Sequence, residues 1–226
     1  MRVAALYDVH GMPWPLEAVL AELEREQVDV AVFGGDFICG PFPRRTVDLV
    51  RSVESARLVR GNCERESDER VSAELGPDDA RAFCELPMTV SLDGVLYCHS
   101  TPSDDMPIVS AATPDDVVAE LFRDVADETV VIGHTHHQFD RRVDGVRVVN
   151  AGSVGMPYEG EVAAFWALVA DGEPSLRRTP FDVEAAIAEL GRSDWPPARE
   201  FVEENLRTAV SREEAIEWCE SRRRGE

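Results

Sequence analysis

Lysine is missing from the 226-residue chain, so all 23 basic side chains are arginine. That removes Schiff-base chemistry on a lysine side chain and the phosphate-binding lysine of the P-loop. Positive charge is scarce altogether: 23 basic residues against 44 acidic ones give a formal net charge of −21. Long-range repulsion therefore opposes non-specific binding to nucleic acid or anionic lipid, and a phosphate-bearing substrate requires a strong local positive charge. Aromatic residues make up only 7%, and no basic or aromatic-rich tract suited to long nucleic acid is present; Arg222 to Arg224 form one short terminal cluster. No apolar run approaches the roughly 18 residues of a membrane span. The apolar stretch after Met1-Arg2 closes at Asp8, too short for a signal-peptide core, so the expected location is cytoplasmic. The five cysteines, Cys39, Cys63, Cys84, Cys98 and Cys219, are odd in number and contain no CxxC pair. That argues against a disulfide framework or a cysteine-zinc site, and free thiols are expected.

With 44% hydrophobic and 30% charged residues, the composition is that of an ordinary globular protein. Short β-rich runs recur between stretches of helical period, the pattern of a layered α/β domain. Strands are expected at residues 3–7, 28–33, 57–60, 89–92, 95–98, 129–132, 146–149 and 162–169. Leu16, Val19, Leu20 and Leu23 recur at helical spacing. Thr113-Pro114-Asp115-Asp116 supplies a cap residue, a proline at the first helical position and early acids for a second helix. The Asp93-Gly94 and Asp144-Gly145 dipeptides predict hairpins, whereas the strands alternating with helices should pair in parallel, so mixed sheets are expected. Beyond about Pro180 the texture becomes wholly helical. Asp182 and the capping box Ser211-Arg212-Glu213-Glu214 mark helix starts, and Pro196-Pro197 opens another. We therefore expect a domain over residues 1–180 and a helical extension over 181–226. The extension either packs on that domain or forms a subunit contact that makes a homo-oligomer.

The polar residues concentrate at the ends of expected strands. The first strand runs into Asp8-Val9-His10-Gly11 and the second into Gly34-Gly35-Asp36; the third ends in Gly61-Asn62-Cys63-Glu64. Later strands end in Cys98-His99-Ser100 and Gly133-His134-Thr135-His136-His137. Strand carboxyl ends in an α/β sheet face one crevice, so these groups converge despite their separation in sequence. Singly, such an Asp commonly caps a helix and such a His commonly lies in the core or on the surface. Yet all five histidines of the chain lie in or beside these motifs. Two Asp, four or five His and one Asn exceed what one ion in an open site uses, so two ions are implied. The donor set suits Mn, Fe, Co, Ni or Zn without choosing among them. Asp36, flanked by glycine, is the best candidate for a carboxylate bridging the pair.

This ordered series, followed by Asn150-Ala151-Gly152-Ser153-Val154-Gly155, resembles the calcineurin-like metallophosphoesterases. It is most similar to their small prokaryotic phosphodiesterase branch, in which GNC replaces GNH. The resemblance covers residues 1 to about 170 and implies a four-layer α/β/β/α sandwich of two mixed sheets. Carried over, it makes Asp8, His10, Asp36 and His136 the ligands of one ion, and Asp36, Asn62, His99 and His134 those of the other. His137 has no counterpart among the usual ligands, and Ala151 stands where the family commonly has proline. Asn62, Cys63, His137, Asn150 and Ser153 are the expected substrate-binding residues.

Two divalent ions against two carboxylates and one hydroxide leave about +1, the local attraction this acidic chain otherwise lacks. Asp36, Asn62 and His10 are the expected catalytic residues. In GNH members the histidine is implicated in protonating the leaving oxygen, and the Cys63 thiol is a poorer acid. That favours a phosphodiesterase acting on a small nucleotide-like diester. The alternatives are a phosphomonoesterase or dinucleoside-polyphosphate hydrolase with the same site, or a non-catalytic scaffold like the retromer subunit of this fold. The expected partner is a small phosphorylated substrate, with neither membrane nor long nucleic acid.

Overall fold

The computed structural model describes residues 1–225. Ten strands follow in chain order: β1 (Arg2–Leu6), β2 (Val30–Phe33), β3 (Ala56–Leu58), β4 (Thr89–Leu92), β5 (Val95–Cys98), β6 (Thr129–Ile132), β7 (Phe139–Val143), β8 (Val146–Asn150), β9 (Ala164–Ala170) and β10 (Glu173–Thr179). They form two five-stranded sheets, ordered β10-β9-β1-β2-β3 and β4-β5-β6-β8-β7. In the first, β1, β2 and β3 are parallel; in the second, β5, β6 and β8 are. Antiparallel hairpins occupy the flanks, so both sheets are mixed.

The period-2 geometry of a strand explains the layering. In β1, Ala4 and Leu6 face a core shared with the helices Pro13–Glu26 and Pro43–Ser52, while Val3 and Ala5 face the second sheet. In β5, Val95 and Tyr97 meet that same inter-sheet core, while Leu96 and Cys98 pack with Val118 and Phe122 of the helix Asp115–Phe122. Both sheet faces are buried, as near-continuous apolar strands require. The result is helix, sheet, sheet, helix. Tyr7, fully buried just after β1, crosses between the sheets and donates its hydroxyl to the Val131 carbonyl at 2.8 Å.

All eight expected strands are present, with ends moved by one or two residues: the second starts at Val30, the third covers Ala56–Leu58 and the last begins at Ala164. Both expected hairpins form, with positive φ at Asp93-Gly94 and Asp144-Gly145. The strands β7 and β10 are additions to the expected set. β10 is an edge strand rich in charge, joined to β9 through Asp171-Gly172, a third turn of the same chemistry. Thr113 does not cap the helix that follows. Its hydroxyl donates to Glu220 at 2.8 Å instead, and Pro114 occupies the cap position.

The C-terminal helices start where their caps predict. Asp182 accepts the Ala185 N–H at 3.0 Å, opening Val183–Leu190, and Ser211 with Glu214 forms the capping box of Arg212–Arg224. Between them, Ala198–Phe201 runs into a wide π-helical turn over Val202–Arg207. Leu190, Phe201, Val202 and Leu206 pack with Met12 and Trp14 at the start of the first long helix. At the far end of the tail, Glu220 accepts from Ser110 Oγ at 2.6 Å as well as from Thr113, and pairs with Arg223. Among the described residues no helix is long and apolar enough to cross a membrane.

Candidate metal centre

The segments leaving the parallel strands β1, β2 and β6 turn sharply where they carry candidate ligands. Nine non-glycine residues of the described chain have φ in the left-handed region; five are Asp8 (53°), His10 (47°), Asp36 (54°), His134 (69°) and His136 (58°). L-residues adopt this conformation at a cost, and such strain persists where the surroundings over-determine it. The other four are Gln27 at a helix end and Asp93, Asp144 and Asp171 in hairpins. Neighbouring glycines make the approach possible: a Cβ on Gly61 would stand 2.2 Å from Asp36 Oδ1, and one on Gly133 2.5 Å from Asp8 Oδ2.

The side chains gather in two facing groups. Asp8, His10 and His136 form one, and Asp36, His99 and His134 the other; in each, the donor atoms lie within 4.8 Å of one another. His10 Nε2 and His136 Nε2 are 3.0 Å apart, and His99 Nε2 is 3.2 Å from both His134 Nδ1 and Asn62 Oδ1. The carboxylates tie the groups together, since Asp8 Oδ2 accepts the His134 N–H at 2.9 Å and Asp36 Oδ1 accepts the Cys63 N–H at 2.8 Å. All seven expected ligand residues thus reach one place.

The electrostatics of the cluster suit a bound cation. Burial, with help from His136, pushes His10 down to about 3, and burial with His99 pushes His134 down to about 4. Burial opposes the charge on Asp8, but the surrounding imidazoles outweigh it and hold its pKa below the usual carboxylate range. Burial raises Asp36 to about 7, with Glu64 and Asp8 adding to it and His99 opposing. His99 is desolvated too, yet the charges of Asp36 and Asp8 raise its pKa on balance. Asp8 Oδ1 is buried without a hydrogen bond, its neighbour His136 Nε2 standing at 3.3 Å. A buried carboxylate oxygen without a hydrogen bond, turned toward imidazole nitrogens, is costly unless a cation lies between them.

Other polar residues hold this arrangement. His136 Nδ1 lies 2.8 Å from the Met156 carbonyl and His99 Nδ1 3.0 Å from the Gly34 carbonyl; such contacts fix the tautomer of a ligating imidazole. Glu64, which the motif contained but to which no role was attached, is 1% exposed. Its carboxylate accepts the N–H groups of Asp36 (2.8 Å), Phe37 (2.9 Å), Ile38 (3.2 Å) and Gly61 (2.9 Å), locking the Asp36 turn to the Asn62 turn. Its place in Gly61-Asn62-Cys63-Glu64, three residues after the glycine that opens the turn, was the available signal. Tyr158, also overlooked, lies against His136 with ring centroids 4.9 Å apart.

Several expectations need correction. Cys39 and Cys63 are joined in a disulfide, and only Cys84, Cys98 and Cys219 are free. The scattered spacing concealed the pair because the turns after β2 and β3 adjoin only in the folded sheet. Cys39 Sγ lies 3.1 Å from His10 Nδ1, so the disulfide abuts the cluster, and Cys63 has no thiol proton to give. His137, Asn150 and Ser153, expected at the substrate, lie in the interior and are held by hydrogen bonds within the protein. All three are fully buried. His137 places Nδ1 2.9 Å from the Thr135 carbonyl and accepts the Ala111 N–H at Nε2. Asn150 donates to the Gly133 carbonyl at 2.7 Å, and Ser153 Oγ donates to the Asp8 carbonyl at 2.7 Å, so both support the turns that carry ligands.

Residues 1–172 match the calcineurin-like phosphoesterase superfamily domain, and the chain belongs to that family. Its fold is similar to that of a metallophosphoesterase from Sphaerobacter thermophilus, with a TM-score of 0.77 at 23% identity, covering 93% of this chain and 100% of that one. A hypothetical protein from Pyrococcus horikoshii follows at 0.75 and 18%, covering 89% and 97%. An archaeal phosphodiesterase aligns at 0.51 and 17%, covering 79% and 99%. No curated protein matches the chain. Family and clusters together make this a metal-dependent phosphoester hydrolase.

Proposed function

We propose that the chain is a two-metal phosphodiesterase acting on a small, nucleotide-like phosphodiester. The observation that carries this reading is the pair of facing ligand groups on strained turns. Asp8, His10 and His136 would hold one cation, His99, His134 and Asn62 the other, and Asp36 would lie between them. When bound, such cations supply Lewis acidity toward phosphoryl oxygens and a water acidic enough to ionise near neutrality.

The protein's own residues do the rest. Asn62 presents Oδ1 to His99 and has its amide N–H groups left to donate to a phosphoryl oxygen, a combination a carboxylate lacks. The Glu64 bonds hold the Asp36 and Asn62 turns at fixed separation, so substrate meets a preformed site. Protonation of the leaving oxygen is the poorly served step. Cys63 is oxidised, Nδ1 of His10 adjoins that disulfide, and His137 is sealed in the interior. An enzyme without a ready acid favours substrates whose leaving group departs as a stable anion, and this supports a diester or activated ester over an alkyl monoester.

Purified protein loaded with Mn²⁺ should hydrolyse bis-p-nitrophenyl phosphate faster than p-nitrophenyl phosphate. A preference for the monoester overturns the diesterase reading. Failure to hydrolyse either, with two metal ions bound per chain, points to a scaffold.

A further inference from the structure

Against the metal centre stands a cavity of about 820 Å³ between the C-terminal helices and the loop after β8. Met156 and Tyr158 belong to both: the Met156 carbonyl contacts His136 Nδ1, the Tyr158 ring lies on the His136 ring, and both residues line the cavity. The rest of the wall comes from the tail, including Ala215, Trp218, Glu203 and Glu204.

The chemistry of the wall narrows the occupant. Its size is that of a small-molecule site. None of its lining residues is basic, so a second phosphate is disfavoured. Glu203 is paired with Arg207, and Glu214 is committed to the Ser211 cap, which leaves Glu204 as the acceptor with no ion pair among the described residues. Trp218 is 55% exposed, unusual for an indole, and the Arg222 guanidinium sits 5.4 Å from its ring centroid. A cation already on the indole disfavours a second one, and an alkylammonium group is a poorer fit than a neutral flat ring. A carboxylate accepts hydrogen bonds and cannot donate them, so the ring should carry N–H groups. Bases are commonly held in this way, stacked on an aromatic side chain and hydrogen-bonded along one edge.

We propose that this cavity receives the aminopurine base of a nucleotide-type phosphodiester whose phosphate lies at the metal centre, with Trp218 as its stacking partner and Glu204 as acceptor of its N–H groups. The assignment rests on the phosphodiesterase reading for the phosphate, but base binding can be measured without it. The metal-free protein is titrated with guanosine, which has no phosphate, by calorimetry. Saturable binding is expected. It should weaken about tenfold in W218A, the loss typical of one stacked base, and severalfold in E204Q. Both side chains are exposed, so both variants should fold. Choline chloride is titrated in parallel and should not bind. Absence of guanosine binding, binding unchanged in W218A, or binding of choline in its place overturns the proposal. Guanosine binding without turnover of bis-p-nitrophenyl phosphate would overturn the phosphodiesterase reading and leave the base site standing. If turnover is seen, W218A should raise KM for guanosine 5′-(p-nitrophenyl phosphate) with kcat little changed, a split that general loosening of the tail does not produce.

Discussion

The strand-end crevice and the C-terminal tail are built on opposite principles. In the crevice, backbone strain at five candidate ligand residues on three turns is held in place by buried groups: Glu64 takes four N–H bonds, and Asp8 is locked to the turn of His134. In the tail, most helices are short, and the attachment includes an apolar patch on Met12 and Trp14, the anchor at Glu220 and the ion pairs Arg45–Glu189 and Arg212–Glu159. The crevice is rigid before any substrate arrives, as catalysis requires. The tail can change its lining without disturbing the ligands, and it forms most of the wall of the adjoining cavity.

Asp36→Asn should break the crevice most severely. Metal-dependent turnover should fall by well over the roughly 100-fold typical of losing a group behind a ligand, while the melting temperature of the metal-free protein stays level or rises, because a neutral amide avoids burying a charge whose pKa is lifted to about 7. Activity within tenfold of wild type would remove Asp36 from the centre.

Acid should act on the same region next. A cation binds the ionised Asp36, so below about pH 7 binding must displace a proton, and affinity should drop by up to about tenfold per pH unit for that group alone. His99, also raised, adds to the loss, whereas His10 near 3 and His134 near 4 are already neutral and add nothing between pH 5.5 and 7. Calorimetric titration with Mn²⁺ across that range checks the slope; a flat profile contradicts it.

Removing the Cys39–Cys63 disulfide by Cys39→Ser tests whether the crevice needs its covalent tie. Bridging residues 24 apart should contribute about 3 kcal/mol by restricting the unfolded chain. A urea titration should show a loss of that order, and unchanged stability would mean that Glu64 already supplies the restraint between the two turns. Last, Glu220→Gln should loosen the tail by about 1–2 kcal/mol, the difference between charged and neutral acceptors for Ser110 and Thr113. Hydrogen exchange in Arg212–Arg224 should rise with the crevice unaffected; equal changes in both would show the two regions to be coupled.

Much of the crevice was legible because its requirements are local. A ligand must be a particular residue type, it sits where a strand stops, and Asp-Gly at 93–94 and 144–145 announces a hairpin through its tolerance of positive φ. Where legibility failed, the missing information was directional. His136 and His137 are neighbours, yet only the first reaches the cluster, because its φ of 58° turns it there while the second points into the interior. Asn150 and Ser153 were recognised as belonging to the site, but whether they face the crevice or lie behind it depends on how the second sheet packs on the first.

Composition and motif order, by themselves, determined that this acidic, lysine-free chain would be a layered α/β protein gathering histidines and aspartates at strand ends. Residue chemistry and strand periodicity are carried along the backbone. Tertiary structure alone decided that Cys39 meets Cys63, that Glu64 clamps two turns, and that the tail walls a cavity against Tyr158. Each of these joins segments far apart in sequence, and their proximity is set by which strands lie side by side and which faces they bury.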